Sequence, residues 1–393
     1  MKSIIHYTAA ILTAAALFLT LSGAGFFTAC GENLHDDAET SIQEVAVHTS
    51  VRKTGQYPEK ITLTLKEGTT VPDLTAEDFS LSGQAGQWGS AQIHDFSCGF
   101  SSVKAKDGII VLVPDQFPEK YFYVKHFAVT CSVSQALSFD STQITQTSTE
   151  LADQFVMMDK DSADGFEYQL YTPEAVASPL PLVVVFHGFG DTSNLLTYRT
   201  SVAWAEPENQ AVRPCYIISP VIQDANYFNP ISRDHLYEKL YSTLRHMAEE
   251  GLIDGGRIYL TGNSFGGLAV LEMMEKYPDL AAAAIAMCPA TSYSSRAIKQ
   301  LDRLAGIPIW FAHAEHDGTI SSACSTQAYN TLQKEENDRV LLTIYSDDEM
   351  NAAGADPSND STYSYHHVEL AVLEDPAYME WLFAQRREAA VDE

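Results

Sequence analysis

Residues 257–276 read RIYLTGNSFGGLAVLEMMEK. An apolar run leads into Gly262, Ser264 and Gly266, and a helical pattern follows. A Gly-x-Ser-x-Gly pentapeptide between a strand and a helix is typical of a nucleophile elbow, a strained turn that exposes the serine hydroxyl. About one chain in ten of this composition would contain the pentapeptide by chance. Its place between a strand and a helix therefore carries the prediction that Ser264 is a nucleophile.

Apolar runs on both sides of this turn predict a parallel sheet. Runs without polar alternation are typical of strands that are buried on both faces. They occupy residues 182–186, 215–218, 257–260, 307–312 and 340–345. Helical patterns lie between them: the stripe Leu236, Leu240, Leu244 and Met247, and the segments 268–276 and 328–335. This alternation predicts a mainly parallel sheet with helices on both faces, over residues 155–390.

A glycine-containing loop, His187-Gly188-Phe189-Gly190, follows the strand at 182–186. Such a loop can aim backbone N–H groups at a developing oxyanion, together with the N–H group of the residue after the nucleophile. We therefore predict the N–H groups of Phe189 and Phe265 as oxyanion donors. His187 lies at the strand end and is predicted to be structural rather than a proton carrier.

An acidic residue follows a later buried strand. Asp317 is placed to orient a histidine and to stabilise its cationic form. His313, Glu315 and His316 lie in the same segment and compete for a role there. A carboxylate after a late strand is common. This segment therefore supports a catalytic role for Asp317 only if the chain also contains a suitable base.

Two adjacent histidines, His366 and His367, follow a polar loop near the end of the chain. Either can act as the general base that takes the Ser264 proton and later donates it to the leaving group. The order Ser, Asp, His along the chain is that of a large class of serine hydrolases. We therefore predict a triad of Ser264, Asp317 and one of the two histidines.

The chain before residue 150 has a different pattern. Residues 61–65 alternate apolar with polar side chains, and short apolar runs separated by turn formers continue to about residue 133. Short strands of this kind predict a small all-β sandwich over residues 42–145. Residues 140–150 are rich in Ser, Thr and Gln, which favours a linker, or a final edge strand followed by one.

The cysteines neither build a disulfide scaffold nor form a metal-ligand spacing. Cys98 and Cys131 both lie in the β-rich module, where they could pair or remain two buried thiols. No metal site is predicted.

The N-terminal sequence predicts a targeting segment. Residues 4–27 are almost wholly apolar and end at Thr28-Ala29-Cys30, which resembles a bacterial lipobox. We predict a lipoprotein signal peptide over residues 1–30 with lipidation of Cys30, and a polar tether over residues 31–41. An uncleaved anchor and an ordinary signal cleavage are the alternatives. The predicted location is the bacterial cell surface or periplasm, with membrane attachment only through this anchor.

The charge balance limits the partners. The 393 residues contain 24 Lys and Arg and 52 Asp and Glu, for a net charge of −28. Nucleic acid is excluded as an expected partner, because a phosphate backbone is held by clustered basic side chains.

From about Phe166 to Arg387 the chain resembles the α/β-hydrolase esterases related to poly(3-hydroxybutyrate) depolymerases and feruloyl esterases. The segments that carry the resemblance are 180–184, 187–188, 253–262, 264–267, 277–279, 307–310 and 375–387. The β-rich module is similar to the immunoglobulin-like domain that precedes some of these esterases. The family pattern places the catalytic histidine nine residues before an Asp-Pro pair, which here is Asp375-Pro376 and selects His366 over His367. Phe265 stands where the family has Met, Glu369 where it has Trp, and the loop after His187 is shorter.

The resemblance implies a serine carboxylic-ester hydrolase that works through an acyl-enzyme. Its expected partner is an ester substrate, including acylated polysaccharides or polyesters, and no metal or organic cofactor is implied. Two alternatives remain open: a serine peptidase of the same fold, and a non-catalytic lipoprotein that binds glycan or protein.

Overall fold

The structure is a computed structural model. It describes residues 40–53, 55–86, 93–115, 123–158, 166–174, 179–190, 196, 199–335, 337–355 and 364–387. The predicted signal peptide, Cys30 and most of the predicted tether lie outside the described residues.

Two sheets in the N-terminal part form a β-sandwich, as the alternating pattern predicts. One sheet has the strand order β5-β6-β2-β1-β9 and the other β4-β3-β7-β8. The strands are β1 (Ile42–Arg52), β2 (Gly55–Leu65), β3 (Phe79–Gly86), β4 (Ile93–Cys98), β5 (Phe100–Lys106), β6 (Ile109–Pro114), β7 (Tyr123–Cys131), β8 (Phe139–Asp140) and β9 (Gln146–Thr149). Ile61 and Leu63 of β2 meet Phe127 and Val129 of β7 in one core between the sheets.

The segment 140–150 is mostly structured rather than a linker. Strand β9 pairs in parallel with β1, with Ser148 opposite His48. Thr49 and Thr149 are buried and share a 2.8 Å hydrogen bond between their hydroxyls, and the Gln56 amide donates to both. The sandwich therefore extends four residues past its predicted end at residue 145, and the edge-strand alternative is the correct one.

The C-terminal part contains an eight-stranded sheet in the order β10-β11-β13-β12-β14-β15-β16-β17. The strands are β10 (Phe155–Met158), β11 (Tyr168–Tyr171), β12 (Leu180–Phe186), β13 (Tyr216–Pro220), β14 (Ile253–Asn263), β15 (Ala283–Met287), β16 (Ile309–Ala314) and β17 (Val340–Tyr345). Strands β12 to β17 pair in parallel, whereas β10 and β11 form an antiparallel edge.

Helices cover both faces of this sheet. They are α1 (Arg199–Val202), α2 (Pro207–Val212), α3 (Asp224–Tyr227), α4 (Pro230–Glu249), α5 (Phe265–Lys276), α6 (Ser295–Lys299), α7 (Ala323–Lys334), α8 (Asp347–Ala352), α9 (Glu369–Val372) and α10 (Pro376–Ala384). Leu182 and Val184 of β12 pack into the core under α4 and α5, while Val183 and Val185 pack into the core on the opposite face. This two-sided burial explains why the strand has no polar alternation, and the predicted fold class is confirmed.

The sequence does not predict three strands of this sheet, β10, β11 and β15. Strand β15 reads AAIAM, and alanine and methionine give little strand signal even though all five side chains are buried. Strands β10 and β11 have four residues each and pair with each other and, through β11, with β13, so their existence depends on tertiary contacts.

Two findings bear on the membrane and on the thiols. Within the described residues, no helix is both long enough and apolar enough to cross a bilayer. Cys98 and Cys131 are free thiols, so of the two alternatives for this pair the unpaired one holds. Burial, followed by the charge of Asp115, raises the pKa of Cys98 to about 11.

A buried carboxyl group on α5 makes stability depend on pH. Glu275 is 1% exposed, and neither of its oxygens has a hydrogen-bond partner among the residues that the structure describes. Burial, followed by the nearby charge of Glu272, raises the pKa of Glu275 from 4.5 to about 8. The folded protein thus keeps a proton that the unfolded chain has lost, and the free energy of unfolding falls as pH rises between these values.

We expect Glu275→Gln to raise the free energy of unfolding by about 3 kcal/mol at pH 9, because the amide carries no charge to bury. At pH 5 the variant and the native protein should be nearly equal. Urea unfolding followed by circular dichroism at both pH values measures the difference. The exposed Glu238→Gln is the control, and an unchanged pH dependence in Glu275→Gln would contradict the assignment.

Candidate active site

Ser264 occupies the turn between β14 and α5. Its backbone has φ 58° and ψ −119°, a conformation that side chains rarely adopt. A Cβ at Gly266 would strike the Phe186 carbonyl oxygen and lie 2.7 Å from that of His187, and one at Gly262 would lie 2.6 Å from the Gly266 carbonyl carbon. The two glycines of the motif are therefore required by close backbone approach.

Asp317 follows β16, and its side chain is completely buried. One carboxylate oxygen accepts hydrogen bonds from the N–H groups of Thr319 and Ile320, at 2.7 and 2.9 Å. The other lies 2.7 Å from His366 Nδ1 and 3.3 Å from His313 Nε2. Burial favours the neutral acid, but His366 and then the other donors outweigh it and hold the pKa of Asp317 well below its ordinary value. Asp317 is thus an ionised acceptor for the His366 ring.

His366 ends a short 3-10 helix, Ser364–His366, and its side chain is 7% exposed. Because Nδ1 faces the carboxylate of Asp317, that nitrogen carries the proton and Nε2 is left as the basic nitrogen. The Cys288 thiol donates to the His366 carbonyl oxygen at 3.4 Å and also contacts the Ser264 backbone. The thiol therefore connects the turn that holds Ser264 to the segment that holds His366.

The competing residues have other partners. His367 Nδ1 lies 2.8 Å from Glu369 Oε1 in a separate buried pair. His316 is exposed and bonds to Asp347. His313 is buried, with its ring nitrogens 2.8 Å from Ser325 Oγ and 2.9 Å from the Ile320 carbonyl oxygen. Glu315 is exposed. Of the two adjacent histidines, the structure brings His366 to Asp317.

The loop after β12 is held by three side chains. His187 is buried, with Nδ1 2.7 Å from the Gly188 carbonyl oxygen and Nε2 accepting from the Ile222 N–H group at 2.9 Å. Burial lowers the pKa of His187 to about 4, so the ring is neutral and structural at neutral pH. The Tyr227 hydroxyl donates to the His187 carbonyl oxygen, and the Asp224 carboxylate accepts from the Gly190 N–H group at 2.9 Å. Phe189 lies between these two fixed points.

Phe265, the second predicted oxyanion donor, is the first residue of α5. The N–H groups in the first turn of a helix have no partner within the helix, and the helix dipole favours negative charge there. This position suits an oxyanion donor beside Ser264.

Cys288, Asp317 and His366 also resemble a metal cluster, because their ligand atoms all lie within 4.8 Å of one another. Burial, followed by the charges of Asp317 and Glu369, raises the pKa of the Cys288 thiol well above its ordinary value. A thiol must lose its proton to bind a metal, so Cys288 is a poor metal ligand, whereas Asp317 and His366 are hydrogen-bonded to each other.

Three of these positioning residues were missed from the sequence. Cys288 follows β15, a strand without a clear sequence signal, so nothing marked its place. Tyr227 and Asp224 belong to the four-residue helix α3, which is too short to show periodicity.

We expect Tyr227→Phe to lower the rate constant for labelling of Ser264 by a fluorophosphonate by about tenfold, because the His187 carbonyl loses its donor and the Phe189 N–H group shifts. The matched control is Tyr259→Phe, which removes another buried hydroxyl that bonds to the Gln385 carbonyl oxygen. Equal effects of the two substitutions would contradict the role of Tyr227.

Part of the chain matches a known family model. Residues 231–353, which include Ser264 and Asp317, match the Abhydrolase_2 family model, described as phospholipase/carboxylesterase. No curated protein matches the chain significantly.

Three solved structures illustrate the structural likeness. The crystal structure of a thermostable esterase has a TM-score of 0.65 and 21% identity, over 88% of this chain and 100% of that chain. Est1E from Butyrivibrio proteoclasticus has a TM-score of 0.42 and 14% identity, over 59% of this chain and 100% of that one. An esterase from the Planctomycetes species Thermogutta terrifontis has a TM-score of 0.36 and 15% identity, over 50% of this chain and 82% of that one. The first likeness is close enough to show a shared fold, which is the α/β-hydrolase fold.

Proposed function

We propose that the protein is a serine carboxylic-ester hydrolase. The observation that carries the proposal is the 2.7 Å contact between Asp317 and His366 Nδ1, in a fold that places Ser264 at a strained strand–helix turn. The match of residues 231–353 to a phospholipase/carboxylesterase model supports the same reaction class.

In the proposed mechanism, Ser264 Oγ attacks the ester carbonyl carbon while His366 Nε2 takes its proton. The N–H groups of Phe189 and Phe265 stabilise the tetrahedral oxyanion. His366 then protonates the leaving alcohol, and an acyl group remains on Ser264. Water, deprotonated by the same histidine, releases the acid and restores the enzyme. The ionised Asp317 stabilises the imidazolium in both steps.

The proposed substrates include acylated polysaccharides or polyesters, on the basis of the resemblance to depolymerases and feruloyl esterases. An uncharged ester also suits a protein of net charge −28, which repels anionic substrates.

A hydrolysis panel tests the reaction class. It contains aryl esters, acetylated and feruloylated glycans, a polyester and peptide amides. We expect turnover of esters and none of amides. Turnover of amides at comparable rates would indicate the peptidase, and no turnover together with no fluorophosphonate labelling would indicate the binding protein.

The two histidines make a sharp kinetic test. We expect His366→Ala and Ser264→Ala each to lower kcat by about 10³-fold or more, because the members of a triad act as a unit. His367→Ala should lower it only about tenfold, since His367 pairs with Glu369 rather than with Asp317. The double variant Ser264→Ala, His366→Ala should be little worse than either single one. A larger loss from His367→Ala would overturn the assignment of the base.

We also propose that the protein is exported and lipid-anchored through Cys30, which supports action on extracellular material. The support is the apolar run at residues 4–27 that ends at Ala29-Cys30.

Expression in a bacterium with labelled palmitate tests the anchor. Cys30→Ser should abolish incorporation of the label, because the acylated thiol is lost. Cys98→Ser, which changes the only partly exposed thiol among the described cysteines, should keep it. Labelling of Cys30→Ser at the native level would exclude the anchor.

A further inference from the structure

Four aromatic side chains form a continuous surface beside the nucleophile, which we call the aromatic shelf: Phe189, Phe228, Phe265 and Tyr293. The ring of Phe265 lies 6.0 Å from that of Phe189, 5.2 Å from that of Phe228 and 5.1 Å from that of Tyr293. Phe228 also meets Phe189 and Tyr293 edge to face, at 5.3 and 6.3 Å. These are favourable aromatic geometries.

The shelf is exposed on one side. Its member Phe265 is buried, while Phe228 is 47% and Tyr293 41% exposed. Large aromatic side chains that stay this exposed in contact with each other are unusual on a protein surface, and such patches often mark ligand sites.

The shelf adjoins the turn that holds Ser264. Phe265 directly follows Ser264, and Phe189 lies on the loop predicted to hold the oxyanion. The 3-10 helix Thr291–Tyr293 starts after Ala290, whose N–H group donates to the Ser264 carbonyl oxygen at 3.0 Å. A group attached to an ester bound at Ser264 therefore has the shelf within reach.

A buried ion pair holds the residues next to the two exposed members of the shelf. Arg233 pairs with Glu272 through two hydrogen bonds of 2.7 and 2.9 Å, and its other nitrogen donates to the carbonyl oxygen of Tyr227, the residue before Phe228. Ser294, which follows Tyr293, donates to Glu272 at 2.6 Å. Both exposed rings thus sit next to residues held by one buried ion pair, and the shelf exists before any ligand binds.

We propose that the aromatic shelf binds the apolar group of the substrate ester, with Phe228 and Tyr293 as the specificity-determining residues. This inference rests on the proposed ester hydrolysis. Apolar carbon placed on the rings leaves water and gains contacts with them. A carboxylate there would lose hydration without gaining a hydrogen-bond donor from the ring carbons.

Two series of uncharged esters test the proposal. One contains p-nitrophenyl acetate, butyrate and hexanoate, which lengthen the acyl group. The other contains methyl, butyl and hexyl acetate, which lengthen the alcohol and are followed by acid release. Each methylene fully removed from water is worth about fourfold in binding, and less on an open surface. We expect kcat/KM of the native protein to rise about tenfold from the shortest to the longest member of one series.

The double variant Phe228→Ala, Tyr293→Ala should reduce that rise to about twofold or less. Phe228→Leu, Tyr293→Leu should retain most of it, because leucine restores apolar surface without a ring. Leu252→Ala, at a site 42% exposed and outside the shelf, is the matched control and should keep the native chain-length dependence.

Each outcome decides a different point. The series that the alanine variant flattens identifies whether the acyl group or the alcohol lies on the shelf. A native chain-length dependence in the alanine variant overturns the proposal, and so does an equal loss for short and long esters. If the native protein hydrolyses all members of both series at equal rates, the proposal that the shelf binds the apolar group is wrong, while the proposed ester hydrolysis still holds. No hydrolysis of any member contradicts the proposed function itself.

Discussion

The close contact between Gly266 and the carbonyl oxygens of Phe186 and His187 is the constraint on which the site depends. It presses the start of α5 against the end of β12, and this is possible only because Gly266 has no side chain. Phe186 is opposite Gly262 in the parallel pairing of β12 with β14. The same contact therefore brings together the Ser264 turn and the loop that carries Phe189, so a nucleophile and a candidate oxyanion donor come from strands that are neighbours in the sheet but distant in sequence.

The second organising interaction is the buried pair Arg233–Glu272. Taking both charges out of water is costly, and such a pair persists when further hydrogen bonds satisfy the remaining groups. Tyr237 and Ser294 donate to the Glu272 carboxylate, and Arg233 also reaches the Tyr227 carbonyl oxygen. Burial alone would raise the pKa of Glu272, but the hydrogen bonds from Arg233 and Ser294 hold it below its ordinary value.

Glu275, one turn further along α5, shows the opposite solution. It is just as buried as Glu272, but within the described part of the chain its oxygens have no hydrogen-bond partner, and the carboxyl group keeps its proton. Two carboxyl groups three residues apart thus differ in ionisation because donors surround only one of them. The ionised residue is Glu272, which links α4, α5 and the segment before α6 through its hydrogen bonds to Arg233 and Ser294.

The sequence was sufficient where one local pattern has one structural solution. The apolar run at 182–186 predicted β12 correctly, because a strand buried on both faces needs apolar residues throughout. The pentapeptide around Ser264 predicted the turn correctly, because its close backbone contacts require glycine. No comparable sequence pattern predicts the strand Ala283–Met287 or the positioning residues Tyr227 and Cys288. Their roles come from distant contacts: Tyr227 acts on His187, forty residues earlier, and Cys288 on His366, seventy-eight residues later. The choice of His366 was available from its spacing to Asp375, but only through the resemblance.

The structured end of the sandwich changes how the two parts of the chain are related. Only residues 150–154 separate β9 from β10, and the Thr149 N–H group donates to Asp153 within that connection. Val51 and Leu151 pack against the core on the α10 face of the hydrolase sheet. Lys53 lies 3.9 Å from Glu374, which also pairs with Arg199. Partly exposed ion pairs of this kind contribute little, about 0–1 kcal/mol, and Arg199 keeps Glu206 as a partner in any case. The apolar contacts of Val51 and Leu151, rather than these charges, therefore hold the sandwich against the hydrolase, and the short connection keeps it there.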